Sequence, residues 1–332
     1  MKQFFLVLLF VVPQFFFVES SEVPEHFNKV DQILWVISDL DNVKHHWENL
    51  GFNQVIDLDT VDVLFRTTGN KQKIRLAKAN LGGAVVSWIQ PLEGNSVFTR
   101  FLSEKKDGAI SIVHRFANEK DLDSEVNRLA ILGVEILEKI DINTDYGMLH
   151  FVLMNTQEKG TYILGYTYGE ADLEIIKKLK PDNRHEVKLS QYAFAIRDPD
   201  HVSAYWNKLG MPEFQITHPE LGDTRYYGET ADYKLSQGWQ RHGTIPYEWC
   251  IPVKPPVVYI DHINKHGEGI HHLGFDVKEM DSALEDYKSR GYVVSMNGTW
   301  GEKGKPGSGR YEYIDLEHAG GVTLELLWSY QE

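Results

Sequence analysis

The chain of 332 residues contains a single cysteine, Cys250. One cysteine cannot form an intramolecular disulfide, and it excludes the zinc sites that are built from several cysteines. Positive charge is also scarce, because 34 Lys and Arg stand against 48 Asp and Glu, which gives a net charge of −14. Proteins that bind nucleic acid usually present a basic surface. We therefore expect no nucleic-acid partner and no binding to anionic membrane surfaces.

Long hydrophobic runs are absent as well. The longest one extends from Phe4 to Val18 and is interrupted by a proline and a glutamine, whereas a membrane-spanning helix needs about 20 apolar residues. The run follows Lys2 and ends close to Ser20, which is the arrangement of a secretory signal peptide. Residues 1–20 are therefore predicted to be a cleaved signal peptide, with a membrane anchor as the alternative. The mature protein would be secreted or periplasmic, without a membrane partner.

What the chain has in plenty is material for hydrophobic cores. Hydrophobic residues make up 42% of the sequence and aromatic residues 12%. At about 100 to 200 residues per domain, the length predicts two domains. The composition is that of an ordinary globular protein, not of a disordered or fibrous one.

A repeat organises the chain into two units of about 140 residues. The segment VDQILWVISDLDNVKHHWENLGF, at residues 30–52, is similar to LSQYAFAIRDPDHVSAYWNKLGM, at residues 189–211. Identical residues in the two segments share one offset of 159 positions: Gln32 and Gln191, Asp39 and Asp198, Trp47 and Trp206, Gly51 and Gly210. The repeat predicts two domains of the same fold, one after the other.

Each unit divides again into two modules. A module opens with an apolar stretch typical of a buried strand, continues with a helical segment that closes on a glycine, and ends with about three strand-like runs. The closing glycines are Gly51, Gly133, Gly210 and Gly291. The predicted fold is therefore α+β, with four βαβββ modules in two tandem domains at residues 28–168 and 187–330. Residues 169–186 are predicted to contain a linker helix that ends before Pro181.

Four polar residues interrupt apolar strands of the second unit. They are Gln191, Glu248, His272 and Glu325, one in each of four predicted strands. Gln191 and Glu248 are 57 positions apart, and His272 and Glu325 are 53 apart, so equivalent strands of the two modules each supply one donor. Two modules that face each other would bring all four side chains together. Because side chains alternate along a strand, one of His271 and His272 is expected to point away.

Each of these residues alone could be an ordinary surface or core polar group. The first unit argues for a shared role, because at the same positions we align Gln32, Ser87, Ser111 and Leu164. The fold evidently does not require the other donors. One imidazole, one amide and two carboxylates form a mixed nitrogen and oxygen donor set, which suits one divalent ion such as zinc, nickel, cobalt, manganese or magnesium.

The βαβββ repeats, the GEGIHH stretch from Gly267 to His272 and the GGVTLELL stretch from Gly320 resemble the vicinal oxygen chelate (VOC) superfamily. That superfamily includes glyoxalase I, methylmalonyl-CoA epimerase, extradiol dioxygenases and bleomycin-resistance proteins. The resemblance covers nearly all of the chain after the predicted signal peptide. It implies two tandem glyoxalase-like domains, of which the first is ligand-poor and not catalytic. A ligand-poor domain before an active one is similar to the arrangement in extradiol dioxygenases.

The order Gln, Glu, His, Glu is similar to the ligand order of glyoxalase I of the human type. The resemblance therefore implies metal ligation at Gln191, Glu248, His272 and Glu325. Extradiol dioxygenases instead use two histidines and one carboxylate, and Gln191 stands where their first histidine belongs. This departure counts against oxygen chemistry at ferrous iron, which favours that triad.

The function expected from these residues is that of a metal-dependent isomerase, epimerase or lyase that acts on a small molecule with adjacent oxygens. The ion would stabilise an enediolate, Glu325 would remove the proton from the neighbouring carbon and Glu248 would return it. Two alternatives stay open: a metal-free small-molecule binding protein of the bleomycin-resistance type, and an extradiol-type dioxygenase. Four modules in one chain make a monomer plausible, with a homodimer as the alternative.

Overall fold

The computed structural model describes residues 23–330. The predicted signal peptide, residues 1–20, lies outside this range. No helix among the described residues is both long enough and apolar enough to span a membrane. The elements form two β-structures joined by a short linker, and we call them the first barrel and the second sheet.

The first barrel is closed, and its eight strands run in the order β1-β4-β3-β2-β6-β7-β8-β5. Its first module consists of β1 (Gln32–Val36), α1 (Leu40–Asn49), β2 (Val55–Phe65), β3 (Asn70–Leu81) and β4 (Ala84–Pro91). The helix α2 (Val97–Lys105) leads to the second module. That module consists of β5 (Gly108–Arg115), α3 (Glu119–Ile131), β6 (Ile136–Thr144), β7 (Gly147–Met154), α4 (Gln157–Gly160) and β8 (Ile163–Tyr168).

The second sheet follows the linker helix α5 (Glu170–Ile176) and has ten strands in the order β10-β13-β14-β9-β15-β18-β17-β16-β11-β12. Its first module consists of β9 (Lys188–Ala195), α6 (Pro199–Lys208), β10 (Gln215–Thr217), β11 (Leu221–Tyr226), β12 (Glu229–Thr230), β13 (Lys234–Gln240) and β14 (Tyr247–Lys254). The helix α7 (Val258–His266) leads to β15 (Gly269–Asp276), α8 (Met280–Ser289), β16 (Val294–Trp300), β17 (Gly309–Ile314) and β18 (Thr323–Ser329).

The same pairing scheme occurs in both halves. The opening strands of the two modules pair antiparallel with each other, β1 with β5 and β9 with β15. Each opening strand also pairs parallel with the last strand of its own module. The four glycines predicted to close the module helices all have φ between +82° and +105°, the left-handed conformation that glycine favours. The α+β fold predicted from the repeat is confirmed.

The two halves differ in how the far side closes. In the first barrel the long strand β2 pairs with β3 on one side and with β6 on the other. In the second half the corresponding segment is split, so β10 pairs with β13 and β11 pairs with β16, with no ladder between β10 and β11. The break contains Pro219, which has no N–H to donate to a ladder. The second sheet is therefore open at this point.

The interiors differ in the size of their side chains. Leu34 and Val36 of β1 belong to an apolar cluster with residues of β2, β3 and β4 that fills the first barrel. The repeat places Ala193 and Ala195 at the equivalent positions of β9, and these belong to the corresponding cluster of the second sheet. Smaller side chains on the opening strand leave space inside the second half.

The first barrel also encloses a charge. The Lys78 ammonium is fully buried and lies 2.7 Å from Oδ1 of the buried Asp172 on α5. It also donates hydrogen bonds to Gln32 Oε1 at 2.6 Å and to Ser87 Oγ at 2.7 Å. Arg115 pairs with Asp172 from the other side. This cluster fastens the linker helix to the first barrel.

We predict that Asp172→Asn lowers the free energy of unfolding by about 3 to 5 kcal/mol, because it leaves the buried Lys78 without its counter-charge. The matched control is Asp62→Asn, since Asp62 pairs with Lys73 on the surface, and exposed pairs contribute about 0 to 1 kcal/mol. Urea unfolding followed by tryptophan fluorescence measures both. Equal midpoints for the two variants would contradict the prediction.

The stabilisation that Asp172 contributes is expected to depend on pH. Burial alone raises the pKa of Asp172, but Lys78 and Arg115 lower it below its usual value. The stabilisation is therefore present above the unfolded-state pKa of about 3.9 and is lost as the pH falls below it. The difference between wild type and Asp172→Asn should shrink in that range.

Candidate metal centre

Four neighbouring strands of the second sheet, β14, β9, β15 and β18, each contribute one of the predicted site residues. Glu248 lies on β14, Gln191 on β9, His272 on β15 and Glu325 on β18. The structure brings all four together, and all are buried, with 0 to 5% of their surface exposed. The side chains that the sequence separated by up to 134 positions thus converge inside one half of the molecule.

Two small residues make room for this convergence. Ala193 of β9 is paired with Glu248 on one side and with His272 on the other. Gly274 of β15 is paired with Gln191 on one side and with Glu325 on the other. A Cβ on Gly274 would lie 2.5 Å from Gln191 Cγ and 2.9 Å from Glu325 Oε2. Both positions need short side chains because long polar ones cross in front of them.

The four side chains are in direct contact. Gln191 Nε2 donates to Glu248 Oε2 at 2.5 Å and to Glu325 Oε2 at 2.8 Å. His272 Nε2 lies 3.1 Å from Glu325 Oε2 and 3.4 Å from Glu248 Oε2. One oxygen from each carboxylate therefore points to the same small volume, together with an imidazole nitrogen and an amide.

Burial and charge oppose each other at this centre. Burial alone lowers the pKa of His272, but the carboxylates of Glu325 and Glu248 raise it to about 9. Burial raises the pKa of Glu325, and although His272 lowers it, the nearby Glu248 adds to the increase. The two carboxylates therefore favour a positive charge between them.

Further polar groups hold the carboxylates in place. Gln237 of β13 donates from Nε2 to Glu248 Oε1 at 2.5 Å, on the side away from Gln191. Tyr313 of β17 is paired with Glu325 across the two strands, and its hydroxyl lies 2.8 Å from the hydroxyl of Tyr259. None of these three residues was among the predicted site residues. A polar residue facing Glu248 from a neighbouring strand was the signal that could have indicated Gln237.

Cys250 is another residue that the sequence did not indicate. Its sulfur, a carboxylate oxygen of Glu248 and a ring nitrogen of His272 all lie within 4.8 Å of one another. Burial raises the pKa of the Cys250 thiol well above its usual value, and Glu248 and Glu325 add to this effect. Cys250 follows Glu248 by two positions on the same strand, so the alternation of side chains could have placed both on one face.

The donor set fits a divalent cation. Imidazole nitrogen and carboxylate oxygen are ligands of zinc and of other first-row ions, and carboxylate and carbonyl oxygens also suit manganese and magnesium. The Gln191 amide presents Nε2 to the carboxylates, and a half-turn about Cγ–Cδ would present Oε1 instead. Glu248, His272, Glu325 and Gln191 can therefore all point a lone pair at one ion.

The first barrel has no such centre at the equivalent place. Ser87 and Ser111 replace Glu248 and His272 in the aligned strands, as predicted. The strand register makes Gly165, not Leu164, the equivalent of Glu325. Val113 pairs with Gly165 in the first barrel as Gly274 pairs with Glu325 in the second sheet. A Cβ on Gly165 would lie 2.5 Å from Ser111 Oγ, so no side chain fits there.

A cleft of about 350 Å³ leads to the centre, and Gln191 and Glu325 form part of its lining. Pro219 and Leu221, on either side of the break between β10 and β11, also line it. The walls carry the rings of Trp239, Trp300, Tyr259, Tyr311 and Tyr313. The opening in the second sheet is thus the entrance to the carboxylates.

Other aromatic and basic residues near the site have structural contacts. Trp249 is fully buried and stacks on Phe194 at 4.3 Å between ring centroids. Arg310 pairs with Asp281 on the surface. Trp239, by contrast, lines the cleft.

Comparisons with known proteins agree with this architecture. The family model described as "Glyoxalase/Bleomycin resistance protein/Dioxygenase superfamily" matches residues 190–310. A mutant of 4-hydroxymandelate synthase from Streptomyces coelicolor superposes with a TM-score of 0.62 at 13% identity, covering 92% of this chain and 94% of that one. The resemblance to the vicinal oxygen chelate superfamily is confirmed.

Other solved structures are similar to the chain at similarly low identity. A xylose isomerase-like TIM barrel/4-hydroxyphenylpyruvate dioxygenase fusion protein is 12% identical, with a TM-score of 0.52 over 97% of this chain and 51% of that one. A Mn(II)-bound glyoxalase from Novosphingobium aromaticivorans is 14% identical, with a TM-score of 0.46 over 92% of this chain and 84% of that one. No curated protein sequence matches the chain. The two likenesses with a TM-score above 0.5 support the fold and leave the reaction to the site.

The VOC family match has a direct bearing on the centre. Residues 190–310 contain Gln191, Glu248 and His272, and Glu325 follows on the last strand of the same sheet. The matched segment therefore lies in the half that contains the open cleft and includes three of the four converging side chains.

We predict that Gly274→Ala lowers the free energy of unfolding by about 1 to 3 kcal/mol, the usual cost of overpacking a well-packed interior. The control is Gly108→Ala, because a Cβ there meets only ring atoms of Phe101 at 3.7 Å. Thermal unfolding measures both variants. A Gly274→Ala protein as stable as the control would contradict the crowding between Gln191 and Glu325.

Proposed function

We propose that the protein is a metal-dependent enzyme of the glyoxalase, epimerase or lyase kind, which acts on a small molecule with two adjacent oxygens. The observation that carries this proposal is the convergence of Glu248 Oε2 and Glu325 Oε2 on the same amide and imidazole inside a buried site. One divalent ion would be bound by Gln191, Glu248, His272 and Glu325.

The charge balance supports an ion at this place. The carboxyl groups of Glu248 and Glu325 are buried around one imidazole, with at most 3% of either residue exposed. Buried charge is costly unless it is paired or bound to a metal. A divalent ion would balance two carboxylates while His272 stays neutral and able to bind the ion.

The residues also have suitable places for proton transfer. Glu325 lines the cleft, so its carboxylate is within reach of a substrate bound there and is placed to act as a general base. A divalent ion, when bound, polarises a carbonyl oxygen of the substrate. Glu325 would accept the proton of the adjacent carbon. That proton would then pass to Glu248, whose Oε2 is bound to the same Gln191 amide as Oε2 of Glu325, and Glu248, held by Gln237 from the other side, would return it to the substrate.

The cleft favours an uncharged substrate with an aromatic or apolar body. Its described lining contains five aromatic rings and the apolar side chains of Leu221, Leu235 and Leu327, and it contains no Lys or Arg. A thioester of glutathione or coenzyme A carries anionic groups that would need basic partners. Aromatic 2-oxoaldehydes and hydroxyketones match the volume and the lining better, and such small molecules are also available to an exported enzyme.

Elemental analysis of the purified protein tests the centre. We expect about one divalent ion per chain, and we expect Glu248→Ala/His272→Ala to lose it, because two of the four donors are gone. The matched control is Glu279→Ala/His201→Ala, which removes the same residue types from exposed positions. A metal-free protein, even after incubation with nickel, zinc, manganese and ferrous iron, would favour the small-molecule binding protein instead.

Turnover tests the role of Glu325. Glu325→Gln keeps an oxygen donor but removes the base, so we expect it to retain the ion and to lose at least 100-fold in kcat, in line with the usual contribution of a general base. Phenylglyoxal and aromatic hydroxyketones are the first substrates to assay, and Glu302→Gln in the exposed loop at residues 301–307 is the control. Normal activity of Glu325→Gln would contradict the proposal, and oxygen uptake with a catechol and ferrous iron would favour the dioxygenase.

A further inference from the structure

Two consecutive histidines on β15, His271 and His272, are both buried, at 2% and 0% exposure. A regular strand would point them to opposite faces, and the sequence predicted that one would point away. The pairing of β15 with β9 has a register shift between Ile270 and His272, so His271 is the extra residue of a β-bulge. A bulge redirects a side chain, and this one lets both rings meet.

The contact between the two rings has a defined polarity. His271 Nδ1 lies 2.7 Å from His272 Nδ1, so one of the two nitrogens donates a hydrogen and the other accepts it. His272 presents its other nitrogen, Nε2, to Glu325 and Glu248. If Nε2 binds an ion through its lone pair, the only ring hydrogen of a neutral His272 is on Nδ1. His272 is then the donor, and His271 Nδ1 is the acceptor.

The His271 ring is itself held by its neighbours. Tyr259 meets it edge to face, at 5.3 Å between ring centroids and an angle of 90°. His262 of α7 meets it at 4.9 Å and 86°. Together with the ring of His272, these two rings leave His271 little freedom to turn, so its acceptor nitrogen has a fixed position.

We propose that His271 is a positioning residue that accepts the Nδ1 hydrogen of His272 and so holds Nε2 of His272 towards Glu248 and Glu325. The residue does not touch the site's opening and is not itself a ligand. Partners of this kind set the tautomer and ring angle of a ligating histidine, and their loss commonly weakens metal binding 10- to 100-fold. The inference rests on the proposed metal centre for the direction of this hydrogen bond and for its effect on affinity, whereas the 2.7 Å contact between the two rings does not depend on it.

Two amide variants distinguish a positioning role of His271 from a packing role. The side-chain oxygen of His271→Asn can take the place of Nδ1, whereas His271→Gln has the same amide one methylene further out. We expect His271→Asn to bind Zn²⁺ or Co²⁺ within about threefold of wild type, and His271→Gln to bind 10- to 100-fold more weakly. Competition titrations with a chromophoric chelator measure the affinities, and thermal unfolding checks that both variants are folded. Equal affinities of the two variants would overturn the proposal.

A second measurement uses the metal-free protein. Long-range ¹H–¹⁵N correlation spectra of the imidazoles should show the same His272 Nδ1 signal in wild type and in His271→Asn, and an altered Nδ1 signal in His271→Gln. His201→Gln, which makes the same change at an exposed histidine of α6, is the control. An unchanged signal in His271→Gln would overturn the proposal.

The two measurements also separate this proposal from the proposed function. If wild type binds none of the ions, the metal centre fails, and the spectra alone decide whether His271 orients His272. If wild type binds an ion and both amide variants bind it equally, the centre stands and His271 contributes packing alone.

Discussion

Charge enclosed by a β-barrel has to be balanced inside it, because water is not available to solvate it. Each half of this molecule encloses charge next to a glutamine of its opening strand, Gln32 of β1 and Gln191 of β9. In the first barrel the balance is complete, since Lys78 is paired with Asp172 and hydrogen-bonded to Gln32. In the second sheet two carboxylates face one imidazole, and the imbalance is what makes this half a candidate metal centre.

The two halves also differ in the space that their interiors leave free. The first barrel is closed by a continuous β2 and filled by side chains such as Leu34, whereas the second sheet has alanines on the equivalent strand and an opening at Pro219. A filled barrel with a paired charge is a stable structural element, and an open one with unbalanced carboxylates can admit an ion and a ligand. One fold used twice thus gives two different interiors through a few substitutions on the strands that meet at the centre.

The groups around the four donors are as important as the donors. Gln237 and Tyr313 approach the carboxylates from neighbouring strands, and His271 approaches His272 through a bulge in its own strand. Hydrogen-bonded neighbours of this kind hold ligating atoms in position before an ion arrives. The arrangement gives the centre a rigid frame on strands, while the cleft beside it is lined by rings that can accommodate an apolar substrate.

The sequence by itself determined the repeat, the module order and the strands that carry Gln191, Glu248, His272 and Glu325, because these depend on local periodicity and on one constant offset. It did not determine what faces them. Strand register decides four features of the two interiors. They are Gly165 at the position equivalent to Glu325, Lys78 where the second half would bind an ion, Cys250 beside Glu248, and the inward orientation of His271. Register, bulges and the break at Pro219 are set by pairing between distant strands, so only the tertiary structure decided them.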